Sequence, residues 1–174
     1  MRSIRIAAPC KAAIENAGQA FHSLGVDNPK VAVLAAVKTV NPKMNETMEA
    51  DALKRMNLFE GGISGCAVEG PISYDLAMEP GAAEFKGYAS PVAGDADILV
   101  VPDFVCGNLL AKSLTCTGGA KTGGVVLGAI VPIVFETKRK RKSKITLKKQ
   151  RLYIILIAEN VRRAARTGRR GRSR

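Results

Sequence analysis

Apolar positions along this chain fall first into a helical stripe and then into short unbroken runs. Between residues 12 and 24, Ala13, Ala17, Ala20, Phe21 and Leu24 recur at helical spacing, and Gly25 follows as a helix-ending residue. The turn Asp27-Asn28-Pro29-Lys30 then leads into VAVLAAV (31–37), a run that suits a strand buried on both faces. Asn45 is placed to cap a second helix through about Met56, with Glu46 and Glu49 in its first turn. GCAVEGP (65–71) reads as a short strand closing in a Gly-Pro turn, followed by two helical pieces within 73–86. ADILVV (96–101) is a further buried strand and leads to a helix from about Gly107 to Cys116. GGVVLGA (123–129) and VPIVF (131–135) end the ordered pattern. Strand and helix alternate with short connections, which predicts βαβ units and an α/β fold with a parallel sheet.

Composition changes this picture in one place. Residues 1–134 hold 11 Lys+Arg against 13 Asp+Glu, whereas the last 40 residues hold 16 against 2. The formal net charge of +12 therefore belongs to the tail, and the chain divides into a body, 1–134, and a basic segment, 135–174. No apolar run reaches the roughly 20 residues that a membrane-spanning helix needs, and no secretory h-region is seen at the start. A cytoplasmic location is expected. Cys10, Cys66, Cys106 and Cys116 form no C-x-x-C pair, and His22 is the only histidine. Neither a metal site nor a disulfide framework is expected, and most nucleophile–histidine schemes are removed.

In an open parallel sheet, ligands bind beyond the carboxyl ends of the strands. The segments predicted there are NPKM (41–44), EGP (69–71) and PDFVCGN (102–108). They offer Asn41, Lys43, Glu69, Asp103 and Asn108, residue types that also serve ordinary turns.

Three stretches in order, NPKVAVLAAVKTVNPKM, SPVAGDADILVVPDFVCGNLLAKSL and GAKTGGVVLGAIVPIV, resemble the phosphate acetyltransferase/phosphate butyryltransferase family. The wording of VNPKM and SPVAGDADILVVPD is closer to the butyryltransferase branch. The resemblance runs from about residue 12 to 134. It implies a three-layer sandwich of the isocitrate/isopropylmalate dehydrogenase-like type, with this chain forming mainly the second of two domains that flank a cleft. It also implies transfer of a short acyl group between coenzyme A and phosphate, in which the thiolate attacks the acyl carbonyl directly within a ternary complex. Coenzyme A is then a substrate, and no tightly bound cofactor is expected. Acyl-CoA and phosphate are the small-molecule partners, and a homo-oligomer is expected.

By matching position, the residues expected to bind coenzyme A are Asn41, Lys43, Gly94, Asp95, Asp103, Gly107, Asn108 and Lys112. A helix start near Gly107 would present free N–H groups to a phosphate. A Ser-Arg pair associated with catalysis follows the last family strand, and Thr137-Lys138 stand in its place here. The arginines that grip phosphate in the family's first domain have no counterpart in this body, which holds only Arg2, Arg5 and Arg55. Turnover by this chain alone is therefore expected to be low. RLYIILIA (151–158) faintly resembles the family's final helix.

The basic segment has three readings from sequence: non-specific binding of nucleic acid or another polyanion, a membrane-surface segment, or the product of a shifted reading frame. A non-catalytic pairing module and a basic-tailed nucleic-acid binder are the rival functions.

Overall fold

The computed structural model of the chain describes residues 4–59, 62–121, 124–126, 133–135 and 154–157, with side chains described from Cys10 to Lys121 within those ranges. Among the described residues, four parallel strands form one sheet in the order β2-β1-β3-β6: β1 (Lys30–Leu34), β2 (Ala67–Ile72), β3 (Ile98–Val101) and β6 (Ile154–Ile157). Successive strand residues point to opposite faces, so each apolar run feeds two cores. Val31, Val33, Val68, Ile98 and Val100 join one core. Ala32, Leu34, Ile72, Leu99 and Val101 join the other. This is why the runs are apolar throughout rather than alternating: both faces carry helices.

On the first face lie α1 (Ile4–Ser23) and α2 (Asn45–Leu58). The buried seam of α1 is Cys10, Ile14, Ala17 and Phe21, spaced by four, three and four residues. Leu24, counted into that stripe from sequence, lies past the helix end and is exposed. Gly25 takes the expected left-handed backbone, φ 85°. Its N–H donates to His22 O, and the Val26 N–H donates to Phe21 O, which closes the helix end. The second face carries Leu76 and Ala77 of α3 (Tyr74–Met78) and Ala83 of α4 (Pro80–Phe85), with Leu110 of α5 (Phe104–Cys116) packed against them. Burying each of the large aliphatic side chains in these cores contributes about 1.5–3 kcal/mol.

Two expectations are corrected, and one further stretch stands apart from the main sheet. Asn45 does not cap α2: it is the first helical residue, Met44 is the N-cap, and no side chain caps the helix. The buried Thr47 fastens this corner instead, its hydroxyl accepting from the Asn41 N–H at 2.9 Å and lying 2.8 Å from Met44 O. VPIVF does not extend the parallel sheet. Its residues form β5 (Ile133–Phe135), antiparallel to β4 (Gly124–Val126) in a separate sheet. Six residues separate these strands, too few for the dozen or so that a parallel crossover requires. Finally, the core of RLYIILIA is not helical. Ile154–Ile157 is an edge strand in parallel register with β3. Three isoleucines in four residues favour extended backbone, and the open edge of β3 supplies the hydrogen-bond partners. The sheet thus crosses the charge seam at residue 135. Among the described residues, no helix is long and apolar enough to cross a membrane.

Candidate active site at the carboxyl edge

From β1 the chain passes through α2, on one face, to β2; from β2 it returns through α3 and α4, on the other face, to β3 on the far side of β1. The connections leaving β1 and β3 therefore diverge, and the strand order makes the space between their carboxyl ends the switch-point crevice of an open sheet. Such a switch point is where open α/β sheets bind ligands.

One lip of the crevice is the β1–α2 loop. There Asn41 Oδ1 accepts from the Lys43 N–H at 3.0 Å, and Asn41 O accepts from the Met44 N–H at 2.9 Å. Asn41 therefore shapes the loop, while the exposed Lys43 ammonium is offered to solvent. The other lip is the start of α5. Asp103 is its N-cap, and Oδ1 accepts from the Cys106 N–H at 2.8 Å. A cap of this kind contributes about 1 kcal/mol. That hydrogen bond is the main reason the Asp103 carboxyl lies below its ordinary range. Opposite it, desolvation and then the Asp103 carboxylate raise the Cys106 thiol, whose Sγ lies 3.4 Å from Asp103 Oδ2. Cys106 therefore stays a thiol despite its place at a helix start. Glu46 of α2 adds a little to the same shift.

The helix begins at Phe104, not near Gly107, because the Asp103 carboxylate caps it three residues earlier. Gly107 is buried, and its N–H is already donated to Asp103 O at 3.1 Å. Asn108 and Lys112 lie further along α5 and are exposed.

Gly94 and Asp95 lie elsewhere. They precede β3 and sit at the amino edge, separated from Asp103 by the length of that strand. Asp95 Oδ2 pairs with Lys30 Nζ at 2.5 Å, at the start of β1, and the Gly94 N–H donates to Leu76 O at 2.7 Å. The expected set is thus divided: Asn41, Lys43, Asp103, Gly107 and Asn108 cluster at the carboxyl edge, with Lys112 about two helical turns along α5. Thr137 and Lys138 lie outside the described residues. Among the described residues, no group of three or more His, Cys, Asp and Glu side chains assembles for a metal ion.

Glu69, offered by the sequence as a strand-end residue, is itself buried and engaged in a hydrogen-bond network. It is 6% exposed. Its Oε1 accepts from Lys54 Nζ at 2.6 Å, the Gly70 N–H at 3.1 Å and the Tyr88 hydroxyl at 3.1 Å. Lys38 Nζ lies 5.7 Å from the Tyr88 ring centroid on the side toward the β1–α2 loop. Tyr88 is pushed up to about 12 from an ordinary 10, by burial first and then by the Glu69 carboxylate. Neither Tyr88 nor Lys54 was singled out from sequence, since nothing local marks their partner. Tyr88 is expected to ionise near pH 12 in an ultraviolet titration. The raised value also means that the unfolded chain loses this proton first. The Tyr88 contribution to stability is full below pH 10 and is lost as pH rises from there through about 12. A Tyr88→Phe chain that shows the same alkaline stability loss would sink this assignment.

These features define an open parallel α/β domain with a topological switch point, flanked by polar loop residues, at its strand ends. Residues 10–146 match the family described as phosphate acetyl/butaryl transferase, and the chain belongs to that family. The match continues past the charge seam. The chain is 40% identical over 125 residues to the phosphate butyryltransferase of Clostridium acetobutylicum, covering 72% of this chain and 41% of that protein. It is 47% identical over 125 residues to the phosphate acetyltransferase of Rhizobium meliloti, covering 72% and 39%. A crystal structure of a branched-chain phosphotransacylase from Enterococcus faecalis matches with a TM-score of 0.64 at 42% identity, over 71% of this chain and 44% of that one. The chain spans about two fifths of the length of the curated relatives it matches.

Proposed function

We propose that this chain is the acyl-CoA-binding part of a phosphate acyltransferase, which moves a short acyl group, butyryl or similar, reversibly between coenzyme A and phosphate. The observation that carries the reading is the switch-point crevice, whose two lips are formed by NPKM and PDFVCGN, both within the segment matched to the family. Lys43 supplies a cation to the anionic ligand. Asp103 shapes the start of α5, whose outermost N–H groups face the same edge. Coenzyme A acts as a substrate that comes and goes. Thr137 and Lys138, in the place of the family's Ser-Arg pair, are the proposed residues for charge stabilisation during transfer. Asn108 and Lys112 line the outer side, whereas the place of Gly94 and Asp95 at the amino edge favours a structural role for those two.

The same reading places the fold with the isocitrate/isopropylmalate dehydrogenase-like sandwiches, residues 1–134 as the acyltransferase domain and 135–174 as a basic segment that lends its sheet the edge strand β6, in a cytoplasmic homo-oligomer. Phe104, Val105 and Leu109 of α5 stand more than half exposed, apolar surface of the kind that a second subunit covers. The test is calorimetric titration of the folded chain with coenzyme A, with phosphate-dependent release of thiol from butyryl-CoA measured alongside. Saturable binding that Lys43→Ala weakens is the expected result. A cooperatively folded chain that binds no coenzyme A overturns the reading.

A further inference from the structure

Thr47 occupies a position on α2 where an apolar residue would serve the core. The buried positions of this helix are Thr47, Ala50 and Leu53, and the last two belong to the core on the first face of the sheet. Valine has nearly the shape of threonine and would fill the fully buried place of Thr47 with no polar atom to satisfy. The hydroxyl is directed instead at the β1–α2 loop. It accepts from the Asn41 N–H at 2.9 Å, and its own proton has two backbone acceptors in reach, Met44 O at 2.8 Å and Asn41 O at 3.0 Å.

These bonds decide where this lip of the carboxyl edge stands. Residues 41–44 form a turn that their own sequence favours, with Asn41 first, Pro42 second, and the Met44 N–H donating to Asn41 O at 2.9 Å. Asn41 Oδ1 accepts from the Lys43 N–H at 3.0 Å, which fixes the Lys43 backbone against Asn41. Bonds inside the turn give it a shape but do not anchor it. The anchor is Thr47, which meets both backbone groups of Asn41 from a helix packed on the sheet. Earlier in the loop, the Ala35 N–H donates to Ile72 O at 3.0 Å and Lys38 Nζ to Lys86 O at 3.3 Å. Lys43 is exposed and enters none of the ion pairs among the described residues, so the backbone that carries it sets its place.

We propose that Thr47 is a positioning residue for ligand binding: through Asn41, its hydroxyl holds the Lys43 ammonium ready for an anionic group of coenzyme A. The proposal rests on the functional reading above. A loop already held in its binding arrangement binds more tightly than one that visits it only part of the time. Thr47 touches no ligand and acts only along the path through Asn41 to Lys43.

The test is calorimetric titration of the full chain with coenzyme A, with urea unfolding alongside to find conditions in which each variant is folded. Thr47→Val removes the hydroxyl at nearly constant shape and is expected to weaken binding about tenfold, as for a loop that is competent about one tenth of the time. Thr47→Ser keeps the hydroxyl and its hydrogen bonds, and is expected to stay within about twofold of wild type. Lys43→Ala weakens binding as well, and adding Thr47→Val to it costs little more, because the two act along one path. Asn41→Ala cuts that path outside the buried corner and is expected to show the same loss and the same dependence on Lys43, which decides the matter should Thr47→Val fail to fold. A folded Thr47→Val chain that binds as wild type does overturns the proposal. So does a Thr47→Ser chain as weak as Thr47→Val, or a Thr47→Val loss of equal size with and without Lys43. A wild type that binds no coenzyme A, or a Lys43→Ala chain that binds as tightly as wild type, brings down the functional reading and this inference with it. A loss on Lys43→Ala with none on Thr47→Val or Asn41→Ala brings down this inference alone.

Discussion

Gly94→Ala is expected to lower the stability of the chain by about 2–5 kcal/mol, while coenzyme A binding by the fraction that remains folded is unchanged. Two costs combine. Gly94 holds φ at 70°, and an L side chain there is strained by about 1–2 kcal/mol. A Cβ would also lie 2.5 Å from Pro80 Cα and 2.8 Å from Pro80 N. These are backbone atoms in the first turn of α4, so no side-chain rotation relieves the clash, and overpacking adds about 1–3 kcal/mol or more. The Gly94 N–H is meanwhile tied to Leu76 O, which prevents the loop from moving away. Urea unfolding followed by circular dichroism measures the loss. A variant within about 1 kcal/mol of wild type, or a fully stable variant that no longer binds coenzyme A, would show that Gly94 serves the ligand instead of the packing of α4 against the β3 approach.

How much of this was legible in the sequence depended on whether the deciding interaction was local. The strands β1, β2 and β3 were plain because burial on both faces leaves unbroken apolar runs, and Gly25 marked the end of α1 for the same local reason. The start of α5 was misplaced by three residues. Its signal, Asp103 ahead of an apolar stretch, is a cap, and the glycine at 107 drew the boundary instead. The division of the expected binding residues had no local signal at all. Gly94-Asp95 and Asp103-Gly107 stand within one family-like stretch, yet a four-residue strand carries them to opposite edges. Which edge holds the crevice follows from strand order, in which β3 lies across β1 from β2. Periodicity does not encode that order. Glu69 and β6 failed for a related reason: the partners that define them, Tyr88 and Lys54 in one case and β3 in the other, are 15 or more residues away.

Glu69→Ala is expected to cost about 2–4 kcal/mol, the largest effect of any charge removal among the described residues. Glu69 is buried on an edge strand, and one carboxylate oxygen serves three donors. Lys54 Nζ reaches it from α2 and the Tyr88 hydroxyl from the loop after α4, so the carboxylate joins the layers on the two sides of the sheet. Alanine leaves these donors unequal. The Lys54 side chain, 38% exposed, turns to water at little cost. The Gly70 N–H loses its acceptor in a buried place, at about 1–3 kcal/mol, and the half-buried Tyr88 hydroxyl loses one at a smaller cost. Glutamine keeps an acceptor oxygen, so Glu69→Gln should cost less than half as much. Tyr88→Phe removes one of the stranded donors and should therefore be less harmful in the Glu69→Ala background than in wild type. The ionisation of Tyr88 gives an independent reading, since without the carboxylate it should fall from about 12 toward 10. Urea unfolding of the two single variants and the double variant measures the coupling directly. Strictly additive losses, with Tyr88 still ionising near pH 12 in Glu69→Ala, would mean that burial alone governs this tyrosine and that the carboxylate does not join the two layers.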